Sequence, residues 1–418
     1  MITHNDLALG LLRQPTTLLF GPGQRHQLPF LIPGFRAAGE PVVRALVCTD
    51  ARMAADPVFT ELVEAIADHG VDVTVYSAIE PDLPRENLVA VTASQAGQRY
   101  DVVVGIGGGS VMDFAKVTAI LLARGGDVRD LYGENVVAGP GIPLITVPTT
   151  GGTGAEVTCI SVVYDAELGM KIGVASPFLE AAVAVVDPEL TLTCPAGLTT
   201  ATASDALTHL VESFTARAKN PTPAEMEAHL YVGKNLLTDH WDRYGLELIN
   251  TAYPRLMADP KDVTARTDTM LAALAAGLAI NTAGTAGAHA IQSPIGALTH
   301  TAHGVGVGAL MPYVARFNLP TRVAEFGQIA RLLGVVGNAS DEALAQAGIR
   351  RLDELLETLR CPLNLKDLGL APAEFDYVAE QAMKATRLTA NNPRDLSHDS
   401  VLEILRRGYA DDRTFWDA

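Results

Sequence analysis

Asp205 and His209, in the stretch ASDALTHLVES (203–213), stand four residues apart. On a helix of 3.6 residues per turn, positions i and i+4 share a face, so this carboxylate and imidazole converge on one patch. Such a pair can serve as a salt bridge, a catalytic couple or half of a metal site. Two more histidines, His289 and His303, flank what reads as a loop in GAHAIQSPIGALTHTAHGVGVG (287–308), each beside a glycine, Gly287 or Gly304. Those glycines suit close approach of the backbone to something bulky. One carboxylate oxygen and three imidazole nitrogens would suit Fe²⁺, Zn²⁺, Mn²⁺ or Co²⁺, and give no reason to favour Ca²⁺ or Mg²⁺. His300 competes with His303 for the fourth position. His229, His240 and His398 lack glycine neighbours and read as surface residues. A single histidine is more often a satisfied core residue than a ligand. The shared helix face is what shifts the balance.

A second kind of chemistry is suggested by VVVGIGGGSVMDFAK (102–116), where an apolar strand passes through glycines into a helix that Ser110 would cap. Glycines admit a pyrophosphate to the backbone, and a helix N-terminus supplies free N–H groups and a favourable dipole. The match to GxGxxG is partial: Gly105 and Gly107 fit, while Ser110 stands in the third glycine's place. Asp50 ends the apolar run RALVCTD, where a carboxylate could receive a ribose diol or simply cap the next turn. Both readings stay open. VPTTGGTGAE (147–156) offers another loop fit to face a phosphate or ribose.

These residues need a scaffold. The 418-residue chain is 48% hydrophobic, enough for two or three domains. Its formal charge of −17 argues against nucleic acid or an anionic membrane as partner. MITHNDLALGLLRQ lacks the basic and apolar regions of a signal peptide, and four scattered cysteines without a CxxC fit a reduced, cytoplasmic protein. The apolar span LAALAAGLAINTAGTAGAHA, broken by Asn281 and His289, reads as a buried helix. Up to about residue 195, strands (44–50, 71–77, 100–107, 143–149, with further runs at 157–165, 170–176 and 181–188) alternate with helices. This rhythm predicts a parallel sheet covered on both faces. Beyond it, helical periodicity dominates (199–217, 222–239, 262–281, 322–333, 341–359, 373–385, 399–408). The expected architecture is an α/β domain at 1–195, a helical domain at 196–418, and a cleft between them.

GGGSVMDFAK, PTTGGTGAE, DALTHLVES and the closing AHG at 302–304, in this order, resemble the iron-containing (group III) alcohol dehydrogenase family. The likeness runs from TTLLFGPG to NNPRDLS. It implies a Rossmann-like dinucleotide-binding domain, an all-α metal-binding domain, and a dehydroquinate synthase-like architecture overall. Carried over by position, the metal ligands would be Asp205, His209, His289 and His303, the motif deciding for His303 over His300. The resemblance places the pyrophosphate at the Gly107 turn, on Gly108, Gly109 and Ser110, with Asp113 behind them. Thr149, Thr150, Thr153 and Thr158 would line the cofactor, Lys171 the ribose side and Thr191 the adenine end. Asp50 matches the residue that contacts the adenosine ribose, which favours NAD over NADP. Fe²⁺ is the metal implied first, Zn²⁺ second. Ser293 replaces a histidine that many members carry four residues after the third ligand, so the usual proton route is in doubt, and Ser293, His300 or a water chain through the ribose hydroxyl could substitute. Ile160 and Ile280 would give an apolar substrate wall without a charged clamp for a carboxylate. The implied activity is hydride exchange between NAD and an alcohol, aldehyde or hydroxy acid, in a homodimer or larger homo-oligomer. Rival readings are a hydroxyacid–oxoacid transhydrogenase and, further off, a dehydroquinate-synthase-like lyase.

Overall fold

The computed structural model of the chain describes residues 10–40, 42–337 and 339–416. The first nine residues, part of the stretch read for a signal, lie outside that range. Six parallel strands form the main sheet: β1 (Thr17–Phe20), β2 (Val43–Asp50), β3 (Val71–Ile79), β4 (Val102–Gly107), β6 (Leu144–Pro148) and β9 (Val183–Val186), in the spatial order β1-β9-β6-β4-β2-β3. Along β2, Leu46 and Cys48 pack on one face, while Val43, Ala45 and Val47 pack on the other. The first face is covered by helices α2 (Arg85–Ser94) and α3 (Gly109–Arg124), the second by α1 (Pro57–Asp68). Both faces are buried, so these strands read as continuous apolar runs. The chain steps from β2 outward to β3, then returns to place β4 on the other side of β2. That reversal opens a crevice at the carboxyl ends of β2 and β4.

Two strand runs depart from the expected sheet. β7 (Ile160–Asp165) and β8 (Met170–Ala175) pair antiparallel in a separate sheet with the two-residue β5 (Gly133–Glu134). β7 alternates in burial while β8 does not, and only the short turn between them reveals the hairpin. β1 was not expected from periodicity at all; it gains its place by pairing with β9 at the sheet edge.

From Ala196 onward the described elements are helical: α4 (Ala196–Thr215), α5 (Leu236–Ala258), α6 (Val263–Ala283), α7 (Gly287–Thr299), α8 (His303–Asn318), α9 (Val323–Leu332), α10 (Asp341–Thr358), α11 (Phe375–Lys384) and α12 (His398–Ala410), with short turns of helix at Pro223–Ala228 and Thr386–Asn391. The continuous helix expected over 222–239 is broken. Residues 229–235 run irregularly, because Gly233 takes φ +80° and lies against the Arg217 carbonyl, and Asn235 then caps α5. The segment read as a loop at 287–308 is almost wholly α7 and α8, joined through His300 at φ +54°. α6 is long and apolar enough to cross a membrane, yet 72% of its most apolar window is buried inside the protein.

Candidate metal centre and dinucleotide loops

α4 is buried along most of its length, which makes its polar residues costly unless something meets them. Asp205, His209 and Glu212 fall at i, i+4 and i+7, one stripe of that helix. His289 comes from the first turn of α7, and His303 begins α8. Their glycine neighbours serve helix packing: a Cβ on Gly304 would lie 2.0 Å from the Ala201 carbonyl oxygen of α4. The bulky neighbour anticipated from sequence is protein: backbone of α4 at Gly304, and the Asn392 side chain, 2.7 Å from a Cβ, at Gly287.

The imidazoles gather around one oxygen. Nε2 of His209, His303 and His289 lies 3.5, 3.7 and 3.8 Å from Asp205 Oδ1. Neither Asp205 Oδ1 nor His289 Nε2, both buried, has a hydrogen-bond partner among the described residues. The ligand atoms of Asp205, His209 and His289 all fall within 4.8 Å of one another. Ligands bonded at usual lengths to one tetrahedral ion would stand about 3.4 Å apart. The spacing therefore suits a shared cation better than direct contact, and a buried carboxylate left alone would be strongly disfavoured. Burial pushes the His289 pKa down to about 3, keeping the ring in its neutral, ligating form.

Glu212 was missed in the sequence, although its i+7 position on the same stripe was there to be read. Its carboxylate accepts from the backbone N–H groups of Ala286 and Ala288 at 2.7 and 2.6 Å, and lies 2.6 Å from His289 Nδ1. It thereby orients the ring so that Nε2 faces Asp205.

At the crevice end, Gly107 and Pro148 are register partners, and Thr149 N–H donates to the Gly107 carbonyl at 2.9 Å. A Cβ on Gly107 would lie 2.6 Å from the Val111 side chain, and one on Gly109 would lie 2.8 Å from Thr153 Cγ2. Glycine is required at both. α3 starts here, with Gly108 as its N-cap, so its first N–H groups have no intrahelical partner. The hydroxyls of Thr149 and Thr150 are buried beside it with no partner among the described residues.

The family model "Iron-containing alcohol dehydrogenase" matches residues 15–188, and "Fe-containing alcohol dehydrogenase family, C-terminal" matches 199–409. The chain belongs to the iron-containing alcohol dehydrogenase family. It is 31% identical over 365 residues to an NAD-dependent methanol dehydrogenase of Bacillus methanolicus, covering 87% of this chain and 91% of that protein. Alcohol dehydrogenase 4 of Saccharomyces cerevisiae is 32% identical over 369 residues, covering 88% and 91%. A crystal structure of a 1,3-propanediol oxidoreductase superposes with a TM-score of 0.88 at 28% identity, covering 96% of this chain and all of that one. These relatives are oxidoreductases acting on CH–OH groups, and the chain is an enzyme of that class.

The remaining residues singled out in the sequence have these partners, and one of them, Ser110, departs from its expected place. Ser110 does not cap α3; it is the second helical residue, and its hydroxyl accepts from Asp82 N–H at 3.1 Å. Lys171 Nζ pairs with Asp82 at 2.6 Å, which brings it to the same turn. Asp50 caps the short helix Ala51–Ala54 through Met53 N–H at 2.8 Å, engaging one carboxylate oxygen. Asp113 accepts from Val162 N–H at 2.9 Å and thus ties α3 to β7. Thr158 accepts from the fully buried Lys116, which closes the motif GGGSVMDFAK but was given no role from sequence. Thr153 accepts from Ala155 N–H, and Thr191 donates to the Pro188 carbonyl. In the second loop, a Cβ on Gly152 would lie 2.4 Å from the Thr202 carbonyl oxygen, and one on Gly154 (φ +62°) would lie 2.4 Å from Gly277 Cα. Those two glycines admit α4 and α6 to the loop. Ser293 is half-buried one turn beyond His289, and His300 is exposed at the end of α7.

Proposed function

We propose that this chain is a metal-dependent alcohol dehydrogenase that uses NAD, with a dinucleotide-binding domain at 1–195, a helical domain at 196–418 and the active site in the cleft between them. The observation that carries the reading is the unpartnered Asp205 Oδ1 surrounded by three imidazole nitrogens. Asp205, His209, His289 and His303 would hold a divalent ion, Fe²⁺ before Zn²⁺. Bound there, such an ion would supply Lewis acidity toward the substrate oxygen, and the nicotinamide would supply the hydride chemistry.

The protein's own residues do the rest. Gly108, Gly109 and Ser110 offer backbone N–H groups to a pyrophosphate, and the Thr149 and Thr150 hydroxyls, without partners among the described residues, extend that surface. Asp50 keeps one carboxylate oxygen for a ribose diol and would repel a 2′-phosphate, which supports NAD over NADP. Glu212 fixes the His289 ring. The His303 side chain is 39% exposed, leaving that side of the cluster open to a small alcohol or aldehyde. Ser293, half-buried one turn beyond His289, would offer a hydroxyl to the alcohol proton.

Metal analysis of the purified protein, with NADH formation from alcohols measured before and after chelation, tests this reading. About one equivalent of Fe or Zn is expected, with turnover lost on chelation and restored by divalent metal. Turnover that survives removal of all metal would overturn the ligand assignment.

A further inference from the structure

Lys116 lies on α3, the helix whose first N–H groups face the crevice, and its side chain is fully buried. A buried ammonium is strongly disfavoured unless acceptors surround it. Three do: Thr158 Oγ1 at 3.1 Å, the Ile160 carbonyl at 2.8 Å and Asp113 Oδ1 at 3.5 Å. An ammonium carries three donors, so its capacity is filled. Asp113 Oδ2 meanwhile accepts from Val162 N–H at 2.9 Å, which ties the same helix to β7 a second time. Burial pulls the Lys116 pKa down, and the Asp113 charge opposes that. Apolar side chains of similar volume often replace a buried ion pair at no loss of stability, so stability alone does not account for a lysine here.

The segment that Lys116 grips is also held from the opposite side. Cys159, between Thr158 and Ile160, donates its N–H to Asn281 Oδ1 at 2.8 Å, and its carbonyl accepts from Ser176 N–H at 3.0 Å. Asn281 is buried on α6, in the helical half. Its Nδ2 donates to the Arg13 carbonyl at 3.0 Å, which fixes the amide with its oxygen toward Cys159. Three residues of chain are thus clasped by a cation from α3 and an amide from α6. Thr158 is the residue expected along the cofactor. Ile160 and Ile280 are those expected in the substrate wall, and Ile280 directly precedes Asn281. Ile160 packs on the cluster that contains Cys159, and Gly173 of β8 leaves it room, a Cβ there lying 3.3 Å from Ile160 Cδ1.

We propose that Lys116 and Asn281 are positioning residues of the dehydrogenase, which fix Thr158–Ile160 between α3 and α6 and so set the spacing between the dinucleotide loops and the wall that selects the alcohol. This rests on the dehydrogenase reading above. Each residue works through the backbone it holds. A misplacement of about 1 Å between reacting groups can cost roughly a hundredfold in rate, so such a clasp is consequential.

The test measures NADH affinity of the metal-loaded protein by fluorescence titration, and kcat/KM for butan-1-ol relative to ethanol. The apolar wall should favour butan-1-ol in the native enzyme. Lys116→Met should weaken NADH binding by about tenfold, as loss of a charge-assisted bond implies, and bring the alcohol ratio closer to one. Asn281→Leu should act in the same direction, although Asn281 stands on a helix of the other half. Lys116→Gln keeps two donors and should recover part of both readouts; with Asn281→Leu it carries the test if Lys116→Met does not fold. The double variant of Lys116→Gln with Asn281→Leu should be little worse than the worse single one, because both act on the same three residues. A native enzyme that does not favour butan-1-ol overturns the proposal. So do fully additive losses, or variants that melt lower yet keep native NADH affinity and alcohol ratio. If the native chain neither binds NADH nor oxidises either alcohol, the dehydrogenase reading fails, and amide exchange in Lys116→Gln still decides the clasp. Faster exchange at Cys159 N–H, which Lys116 does not touch, supports it; native protection there sinks it.

Discussion

Two buried polar groups in the helical half are built in opposite ways. Arg316 of α8 and Asp353 of α10 form a pair with two bonds, at 2.6 and 3.1 Å, and the remaining guanidinium donors reach the carbonyls of Arg413 and Pro312. Every charge there has its answer within the chain. Asp205, on a helix packed against α8, has three imidazoles at distances beyond hydrogen bonding and an oxygen with no partner among the described residues. A fold that satisfies one buried carboxylate so fully and leaves another open marks the second as waiting for something from outside. Completeness of hydrogen bonding, more than burial or residue type, separates the structural pair from the candidate site.

Substitutions should therefore act with opposite signs at the two places. Asp205→Ala is expected to remove the bound metal and lower kcat/KM by roughly a thousandfold or more, since the ion's contribution to the barrier is several kcal/mol. Asp205→Asn should raise the melting temperature of the metal-free protein by relieving an unpaired buried charge. A metal-free Asn variant that melts lower than the native chain would break the comparison. Asp353→Asn should do the reverse, costing about 3–5 kcal/mol in denaturant unfolding because Arg316 is left buried and uncompensated. Activity per folded molecule should hardly change.

Glu156 lies between these cases. It is buried, and desolvation raises its pKa to about 7 despite the opposing charge of Lys116. In the unfolded chain it titrates near the model-compound value of 4.5. The folded state thus holds this proton over a range where the unfolded state has released it. Its contribution is full below about pH 4.5 and is lost as pH rises to about 7, by at most about 3 kcal/mol. Unfolding measured across that window should show a shallower decline in Glu156→Gln. Glu212→Gln should weaken metal binding by roughly 10- to 100-fold, read by competition with a chelator, because it disturbs only the orientation of His289. The smallest effect is expected at exposed His300, where substitution by Ala should leave metal content unaltered.

The part of this molecule legible in the sequence was the part written as side-chain periodicity. The stripe at Asp205 and His209, the strands β2, β4 and β6, and helices such as α6 and α10 follow directly from apolar spacing. α7 and α8 did not, because glycine, threonine and proline lower local helix propensity there, and burial between neighbouring helices overrides it. The β7–β8 hairpin showed its strands but not its partner. Tyr231 was read as helix, because the apolar spacing of 222–239 continues through a stretch that Gly233 and its contact with the Arg217 carbonyl turn aside. Orphaned atoms such as Asp205 Oδ1 or the Thr149 hydroxyl belong to three-dimensional packing. No spacing rule announces them.

The edge pairing of β1 with β9 sets an order of events during synthesis. Phe20 leaves the ribosome long before its register partner Val186. At usual translation rates the delay is roughly ten to thirty seconds. Through that interval the first strand has no sheet to join, and an interrupted chain ending before β9 would expose the edge of β6 to other chains. The α/β half is closed by its last strand, so the nascent protein depends on whatever shields β1 until that strand arrives.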